Sequence, residues 1–397
     1  MKICFFIGAR ANWSTIKSVV EKFVNDNEFN VSLILGPAAL SEKFGSIEPY
    51  LSEFNLEIIK CSSSLSDSGT NYGMVESSVS VSSELARILN SKKCDWIFLV
   101  GDRYEVMSAA IVAASLNIKI AHIMGGELSG TIDEMFRHAI TKLSRLHLVA
   151  TDNAKKNVEQ LGEKPETVHN VGCPRIDWIK ESIEKKNLIK ERFENRSIFP
   201  HVGQNLSKLN AKKYILFMLH PVTTLKNQNI LYETTLRILV SLHKNNEKVI
   251  VFWPNSDGGT KYISKAIRVF REKYSKENFS FVKNLPTIDF LTLMVNCKVM
   301  IGNSSSAIRE GDFLGVKAIN IGDRQLSRDR GKNILDISYD EAMDDISKYI
   351  SISNKKLISS GSIYGDGNTS NRILSLFKSF KKNPIQIPEI KEFRILK

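Results

Sequence analysis

The chain has 397 residues, of which 42% are hydrophobic and 25% are charged, and this composition excludes a collagen-like repeat, a disordered chain and a disulfide-stapled miniprotein. The length predicts two or three domains with a large buried core. The formal net charge is +12, but the basic residues are spread along the chain and do not interleave with aromatic residues, so a small anionic ligand is favoured over nucleic acid.

Five cysteines are scattered along the chain without a CxxC pair, which disfavours a disulfide framework and a thiolate zinc site. The apolar stretch at the N-terminus is too short for a signal peptide, and no apolar run reaches about 18 residues. We therefore expect a cytoplasmic protein with no membrane segment.

The first half of the chain alternates apolar strands with helices. The predicted strands are Ile3–Ile7, Val31–Leu35, Trp96–Val100, Ile118–Ile123 and Leu146–Ala150. Helical spacing follows at Ser14–Phe23, at Val106–Leu116, and from Asp152, which we expect to cap its helix. Because the strands read as unbroken apolar runs, the pattern indicates a parallel sheet covered by helices on both faces.

The alternation restarts in the second half, with predicted strands at Tyr214–Leu219, Lys248–Trp253, Val299–Ile301 and Ala318–Ile321. We predict an α/β fold of two Rossmann-type domains whose parallel sheets face an interdomain cleft. The predicted parts are an N-terminal domain over 1–176, a linker or surface excursion over 177–211, a C-terminal domain over 212–369, and a C-terminal helix and tail, 370–397, packing back on the N-terminal domain. Ligands of open parallel sheets bind at the carboxyl ends of strands, so the residues that follow strands are the candidates.

The first predicted strand is followed by the segment GARANWS at Gly8–Ser14. Arg10 offers a fork of donors to a phosphate, and Ser14 is placed to cap the next helix, whose N-terminus favours an anion. The alternative is an ordinary strand–helix turn with an exposed arginine. The segment lacks the GxGxxG fingerprint, which disfavours an NAD enzyme.

Carboxylates follow two further strands of the first half. Asp102 and Arg103 come after one strand, and Glu127 and Asp133 come after the next. Carboxylates at the mouth of a buried sheet can be tuned as general acids and bases. The alternative is that Asp133 caps a helix and that Arg103 forms an ion pair with Asp102. Three further polar residues lie nearby: His122, Arg137 and His138.

Polar residues also follow the strands of the second half. His220 comes at a strand end, where histidine is more often structural but can also neutralise a phosphate or transfer a proton. Asn255 and Asp257 lie in a turn-rich loop after the following strand.

The segment Gly302–Ser306, GNSSS, follows a strand and opens a helix, and it is the most specific local signal. Backbone N–H groups and the hydroxyls of Ser304 and Ser305 at a helix N-terminus suit a diphosphate. Glu310 could reach the hydroxyls of a ribose, and Arg324 follows the next strand at the same edge. The alternative is that the serines only cap the helix and that Glu310 pairs with its neighbouring arginine.

Eight motifs occur in order: G-x-R-A-N-x-S, GDR, H-I-x-GGE through TID, RHAITK, HP, WPNSDGG, GNSSS-x-x-RE and G-x-RQ. From Lys2 to the helix near Ser379, the chain resembles the hydrolysing UDP-N-acetylglucosamine 2-epimerases, the sialic-acid-pathway branch of the wider 2-epimerase family. The resemblance implies a GT-B-like fold, no metal and no cofactor, and UDP held mainly by the C-terminal domain.

The resemblance also implies roles for individual residues. Asp102 and Asp133 would be catalytic acid/base groups, and His220 would assist at the sugar-diphosphate. Some relatives carry a glutamate where this chain has Met124, so Glu127 is our substitute for it. The nucleotide- and substrate-binding residues would be Arg10, Ser14, Arg103, Asn255, Asp257, Ser304, Ser305, Glu310 and Arg324. A milder departure is Asn12-Trp13, where Asp-Tyr is common.

The implied reaction converts UDP-N-acetylglucosamine and water to N-acetylmannosamine and UDP, through a 2-acetamidoglucal, for sialic acid-type sugars. One alternative is a hydrolysing 2-epimerase of UDP- or GDP-N,N'-diacetylbacillosamine, as in legionaminic acid pathways. A glycosyltransferase of the same two-domain fold and a noncatalytic nucleotide-sugar sensor are further alternatives. We expect a homodimer or homotetramer that binds a UDP-sugar and neither nucleic acid nor membrane.

Overall fold

The computed structural model describes residues 1–42, 46–52, 54–63, 66, 70–129, 132–184, 188–194, 209–255, 257–274, 277–283, 285–356, 361, 363–383 and 391. The chain divides into two compact units: the first comprises Met1–Leu128, Ile132–Trp178 and Tyr364–Lys397, and the second comprises Ser129–Thr131 and Ile179–Ile363. Among the motif residues, Gly130, Thr131 and Ser256 lie outside the described residues, as do positions 185–187 and 195–208 of the predicted excursion.

Each unit is built on one parallel sheet. The strands of the first are β1 (Lys2–Ile7), β2 (Asn30–Leu35), β3 (Glu57–Lys60), β4 (Trp96–Val100), β5 (Lys119–Ile123), β6 (Leu146–Val149) and β7 (Val168–Asn170), in the spatial order β3-β2-β1-β4-β5-β6-β7. Those of the second are β8 (Tyr214–Met218), β9 (Lys248–Phe252), β10 (Phe279–Val282), β11 (Val299–Gly302), β12 (Ala318–Ile321) and β13 (Ile334–Ile337), in the order β10-β9-β8-β11-β12-β13.

Helices connect the strands. They are α1 (Arg10–Val24), α2 (Pro37–Leu40), α3 (Asn71–Lys92), α4 (Tyr104–Ser115), α5 (Ile132–Leu143), α6 (Asp152–Gln160), α7 (Pro174–Glu184), α8 (Leu188–Glu194), α9 (Asn229–Lys244), α10 (Thr260–Lys273), α11 (Thr287–Asn296), α12 (Ser305–Leu314), α13 (Tyr339–Lys356) and α14 (Thr369–Lys382). Short 3₁₀ turns are Glu48–Tyr50, Pro165–Thr167 and Asp323–Gln325. Among the described residues, no helix combines the length and apolarity that a membrane crossing requires.

Counted from its own first strand, each sheet has the order 3-2-1-4-5-6 of a doubly wound Rossmann fold, and the first sheet adds a seventh strand. The order reverses between β1 and β4 in the first unit and between β8 and β11 in the second. Ligands bind outside the carboxyl ends of the strands at such a reversal. The predicted fold class of two Rossmann-type α/β domains is confirmed, whereas the domain boundaries and the interdomain cleft stay predictions.

The sequence analysis missed four strands, namely β3, β7, β10 and β13. All four lie at the edges of their sheets and are three or four residues long. An edge strand is covered on fewer sides, so it tolerates polar residues and lacks the unbroken apolar run of a central strand. The expected periodicity is therefore weak at these positions.

Two predicted helix caps are wrong. Helix α1 begins at Arg10, so Ser14 lies inside the helix, and the capping position is Ala9. The Asn12 side chain accepts the Ala9 N–H at 2.9 Å, which stabilises the earlier start. Helix α6 is capped by Thr151, whose hydroxyl accepts an N–H of the first turn, and Asp152 is instead its first residue.

The last helix, α14, packs on the first unit. Its N-terminus is held by Asp177, whose carboxylate accepts the N–H groups of Thr369 at 2.9 Å and Ser370 at 2.6 Å. Fully buried Phe377 lies with its ring centroid 5.5 Å from that of Phe23 and 4.8 Å from that of Phe98. These contacts make the end of the chain part of the core around β1 and β4.

Replacing Phe377 with alanine is expected to lower the free energy of unfolding by about 3–5 kcal/mol, because it leaves a cavity among aromatic rings. Urea unfolding followed by circular dichroism measures the change. The exposed Ser375 on the same helix supplies the control variant, Ser375→Ala, which should unfold like the wild type. Equal stability of Phe377→Ala and wild type would show that α14 contributes little to this core.

Candidate active site

The loop after β4 carries an ion pair. Gly101 has a positive φ of 74°, which turns the chain so that Asp102 follows at the sheet edge. The Arg137 guanidinium donates two hydrogen bonds to Oδ2 of Asp102, the one from Nε at 2.9 Å. The Arg137 side chain is 1% exposed and that of Asp102 is 24% exposed. A nearly buried cation thus orients a carboxylate that keeps contact with solvent.

Arg137 joins this loop to the other carboxylate segments. Its Nη1 atom donates to the backbone carbonyl of Glu127, whose side chain is buried. Asp133 precedes Arg137 by four residues on α5, so the two side chains share a helix face. The guanidinium therefore links Asp102 and Glu127 directly, and Asp133 lies one turn from it.

Arg103 has a carboxylate partner at the start of α4. Its guanidinium forms a fork with Glu105, from Nε to Oε2 at 3.0 Å and from Nη2 to Oε1 at 3.1 Å. Glu105 is fully buried. The Arg103 fork is thus engaged with a carboxylate in the first turn of α4, while Asp102 accepts from Arg137.

The fully buried His122 positions the Asp102 loop, a role that the sequence analysis did not assign. Its Nε2 atom lies 2.8 Å from the Gly101 carbonyl oxygen, so Nε2 carries the proton. Its Nδ1 atom lies 3.2 Å from the Thr141 hydroxyl and accepts from it. Burial lowers the pKa of His122 to about 4, although the Gly101 carbonyl opposes the shift. The signals in the sequence are a polar residue within an apolar strand and its place in the H-I-x-GGE motif.

The turn after β1 is tied to the same edge through Asn12. This buried side chain accepts the Ala9 N–H at 2.9 Å and donates to the Val100 carbonyl at 3.0 Å. An aspartate would lack the donor, so the amide is the form that joins both loops. Half-buried Arg10 begins the helix beside it, and burial lowers the pKa of its guanidinium.

Ser14 contacts protein groups from inside α1. Its hydroxyl donates to the Ala11 carbonyl at 3.0 Å and accepts from Nη2 of Arg175 at 2.5 Å. A ligand bound by Ser14, as the sequence predicts, would have to share this hydroxyl with Arg175. It therefore stays a prediction.

In the second unit, fully buried Asn303 joins three loops. Its Oδ1 atom accepts the His220 N–H at 2.7 Å, and its Nδ2 atom donates to the His220 carbonyl at 3.0 Å. Its own carbonyl accepts from Nη1 of Arg324 at 3.1 Å and from Nε2 of Gln325 at 3.0 Å. The loops after β8, β11 and β12 are thus fixed by one side chain and its backbone.

His220 is neutral. Its Nδ1 atom accepts the Asn255 N–H at 3.2 Å, so Nε2 carries the proton. Burial, followed by the positive charge of Arg324, lowers the pKa of His220 to about 3. Near pH 7 this imidazole can donate a hydrogen bond from Nε2, but it carries no positive charge with which to neutralise a phosphate.

The neighbouring loop carries Asn255 and Asp257. The Asn255 Nδ2 atom donates to Oδ2 of Asp257 at 2.5 Å, and the Thr260 hydroxyl donates to the Asp257 carbonyl at 2.7 Å. Gly259 has a φ of 101° at the start of α10. The structure thus places the loop beside His220 through the Asn255 backbone.

The N-terminus of α12 lies at the segment where the sequence predicts an anion cradle. Ser304 caps the helix, its hydroxyl accepting the Ser306 N–H at 3.3 Å, and Ser305 is the first helical residue. Gly302 has a φ of 141°, and a Cβ atom there would lie 1.9 Å from the Met218 carbonyl oxygen. Glycine is therefore required where β11 approaches β8. Buried Glu310 lies on the same helix.

The fold is GT-B-like, with two Rossmann-type units, a serine-capped helix N-terminus after β11 in one and carboxylates after β4 and β5 in the other. These are the features that the sequence predicts for an enzyme of nucleotide-sugar chemistry. Residues 21–378 match the model of the UDP-N-acetylglucosamine 2-epimerase family. The chain belongs to this family, as the motifs predict.

Two relatives and one solved structure illustrate the likeness. The chain is 30% identical to UDP-N,N'-diacetylbacillosamine 2-epimerase (hydrolyzing) of Legionella pneumophila, over 95% of this chain and 96% of that one. It is 32% identical to GDP/UDP-N,N'-diacetylbacillosamine 2-epimerase (hydrolyzing) of Campylobacter jejuni, over 84% of each. It matches the structure of UDP-GlcNAc 2-epimerase from Neisseria meningitidis bound to UDP-GlcNAc with a TM-score of 0.77 and 17% identity, covering 96% of this chain and 100% of that one.

His122→Gln is expected to make the protein less sensitive to acid. The folded state binds a proton at His122 only near pH 4, whereas the unfolded chain binds it near pH 6.5. The unfolded state therefore holds more protons between these values, and the stability falls by about 1.4 kcal/mol for each pH unit of acidification. Glutamine keeps one donor and one acceptor without titrating.

Urea unfolding of wild type and His122→Gln at pH 7.5, 6.5, 5.5 and 4.5 tests this. The unfolding free energy of the variant, relative to that of the wild type, should rise as the pH falls. Because the two proteins differ only at position 122, the other histidines contribute equally to both. Parallel pH profiles would contradict the assignment of a neutral, buried His122.

Proposed function

We propose that the protein is a hydrolysing 2-epimerase that converts UDP-N-acetylglucosamine and water to N-acetylmannosamine and UDP. The observation that carries the proposal is the ion pair of partly exposed Asp102 with buried Arg137 at the carboxyl edge of the first sheet. The anion cradle at Ser304 and Ser305 supports it, since a departing diphosphate needs such donors. Membership of the family supplies the reaction class.

The first step is an elimination. The hydrogen at C2 of the sugar is not acidic, so a base must remove it while the bond from C1 to the diphosphate oxygen breaks. The C2–H electron pair forms the double bond of a 2-acetamidoglucal, and the C1–O pair leaves with UDP. Asp102 is our candidate base, because Arg137 holds its carboxylate in one orientation.

Stabilising the departing diphosphate is the largest electrostatic demand of this step. The N-terminus of α12, with Ser304 and Ser305, and the guanidinium of Arg324 would supply donors. His220 would add a neutral N–H donor, and Glu310 would hold the ribose hydroxyls. Because the pKa of His220 is about 3, this donor persists across neutral and mildly acidic pH.

The second step is a hydration with inversion. Water adds at C1 of the glycal, and an acid delivers a proton to C2 on the face opposite to the one from which the first proton left. This requires a second proton-carrying group besides Asp102. Asp133 and Glu127 are the candidates. Asp133 lies one helix turn before Arg137 on α5, and the backbone carbonyl of Glu127 accepts a hydrogen bond from Arg137.

UDP-N,N'-diacetylbacillosamine is the second candidate substrate. The observation that favours it is the likeness to two hydrolysing enzymes named for that sugar, at 30% and 32% identity. The reaction at C1 and C2 would be the same. Only the groups that contact C4 and C6 of the sugar would differ.

Proton and phosphorus NMR of the protein with each UDP-sugar in D₂O tests the proposal. Free UDP with N-acetylmannosamine, or its diacetamido counterpart, carrying deuterium at C2 would support elimination, hydration and inversion together. UDP with an unlabelled, uninverted sugar would indicate simple hydrolysis and would overturn the base assignment. UDP binding without turnover of either sugar would favour a nucleotide-sugar sensor.

Asp102→Asn is expected to lower kcat by about 10³-fold, because an amide cannot accept the C2 proton. The dissociation constant for UDP, measured by calorimetry, should stay within about 2-fold of wild type, since the candidate phosphate site lies on the other unit. Glu134→Gln, a carboxylate on the same helix as Arg137, is the control and should keep its turnover. Undiminished turnover of Asp102→Asn would remove it as the base.

Glu310→Ala is expected to weaken UDP binding by about 10- to 100-fold, since hydrogen bonds to a charged group contribute about 1.5–3 kcal/mol. Calorimetry with UDP alone measures this without reference to turnover. The exposed Asp340, also on the second unit, offers the control Asp340→Ala. An unchanged affinity would exclude Glu310 from the ribose site.

A further inference from the structure

A buried ionic cluster around Glu163 takes no part in the proposed chemistry. The Glu163 side chain is 2% exposed. Its carboxylate accepts from Nζ of Lys142 at 2.7 Å, from Nζ of Lys391 at 2.8 Å and from Nε2 of His147 at 3.0 Å. Burial raises the pKa of Glu163, but these hydrogen bonds outweigh it and hold the pKa at about 2. The carboxylate is therefore ionised throughout the working range of pH.

Lys391 also caps the C-terminal end of α5. Its Nζ atom lies 3.2 Å from the carbonyl oxygen of Thr141, 2.7 Å from that of Lys142 and 2.6 Å from that of Ser144. The last carbonyls of a helix lack partners within the helix and carry partial negative charge. One ammonium group thus shares its three N–H bonds among these carbonyls and Glu163.

The helix end that Lys391 holds is connected to the candidate base. The Thr141 hydroxyl donates to His122, and His122 donates to the Gly101 carbonyl at 2.8 Å. Gly101 directly precedes Asp102. The middle of α5 carries Arg137, which pairs with Asp102. Two connections therefore run from the Lys391 end of α5 to Asp102: one through Thr141 and His122, and one through Arg137.

We propose that Lys391 is a positioning residue for the epimerase reaction: it clamps the end of α5 and, through Thr141 and His122, holds the loop that carries Asp102. The inference rests on the proposed function, and it assigns Lys391 no contact with substrate. Its sequence separation of 247 residues from Ser144 means that the clamp joins the tail of the chain to the middle of the first unit.

The clamp depends on the charge of Lys391. Burial lowers the pKa of Lys391 to about 8; Glu163 opposes this shift, and the charges of Lys142 and Arg145 add to it. Another titratable group of the cluster, His147, has its own pKa lowered chiefly by burial and donates to Glu163 from Nε2. As the pH rises through about 8, the ammonium loses one of its three N–H donors, so the hold on the carbonyls weakens.

Lys391→Met is expected to lower kcat by about 10-fold at a temperature well below its unfolding, with the UDP dissociation constant unchanged. Lys391→Arg should retain most of the activity, because it keeps a cation with several donors. The control is Lys381→Met, which removes a lysine that pairs with Glu28 on the surface. Wild-type kcat in Lys391→Met, or a loss that merely follows the unfolded fraction, overturns the inference.

The pH profile tests the same clamp without a variant. The kcat of the wild type should decline as the pH rises through about 8, and Lys391→Arg, which keeps its proton, should sustain kcat to higher pH. A flat wild-type profile from pH 7 to 9.5 overturns the inference even if Lys391→Met does not fold.

A spectroscopic readout separates this inference from the proposed function. The ring ¹⁵N resonances of His122, which report its tautomer and hydrogen bonds, should shift in Lys391→Met and stay in place in Lys381→Met. Unshifted resonances in Lys391→Met overturn the link to His122. If the wild type turns over neither sugar, the proposed function is wrong, and with it the role of Lys391 in that reaction. If turnover is normal but does not depend on Lys391, only the positioning role of Lys391 is wrong.

Discussion

The site of the first unit depends on one buried cation. Removing the Arg137 guanidinium from water is costly, and the cost is offset only where several acceptors surround it. Asp102 and the Glu127 carbonyl supply them, so the loop after β4, the segment after β5 and α5 are held together by the same group. In the proposed reaction, a carboxylate oriented in this way needs no rearrangement before it accepts a proton, which is how preorganised groups assist a reaction.

In the second unit, a neutral side chain holds the loops together. Asn303 is fully buried and uses its amide and backbone carbonyl to hold the loops that carry His220 and Arg324. An amide both donates and accepts, so it can bond a backbone N–H and a backbone carbonyl at the same time. The positive charge beside these loops is that of Arg324, because burial keeps His220 neutral; burial likewise keeps His122 of the first unit neutral. His122 then donates from Nε2 to the Gly101 carbonyl, and His220 accepts the Asn255 N–H at Nδ1.

Much of the fold follows from local pattern. The central strands of both sheets read as apolar runs, and their predicted ends agree with the structure to within one or two residues, as at Trp96–Val100 and Ala318–Ile321. The edge strands were missed because they are only three or four residues long and because the side chains of all but β10 are only partly covered. The start of α1 was missed because its stabilising group is the Asn12 side chain inside the helix, which is not the usual capping position.

The sequence by itself determined the fold class, the family and the candidate residues, because strand and helix periodicity and short motifs are local properties of the chain. Only the tertiary structure decided the partners. Asp102 pairs with Arg137, 35 residues away, and Arg103 pairs with Glu105. Lys391 meets α5 across about 250 residues of sequence. A hydrogen bond or ion pair depends on distance in space, and no spacing along the chain encodes which of several charged neighbours folding will bring within 3 Å.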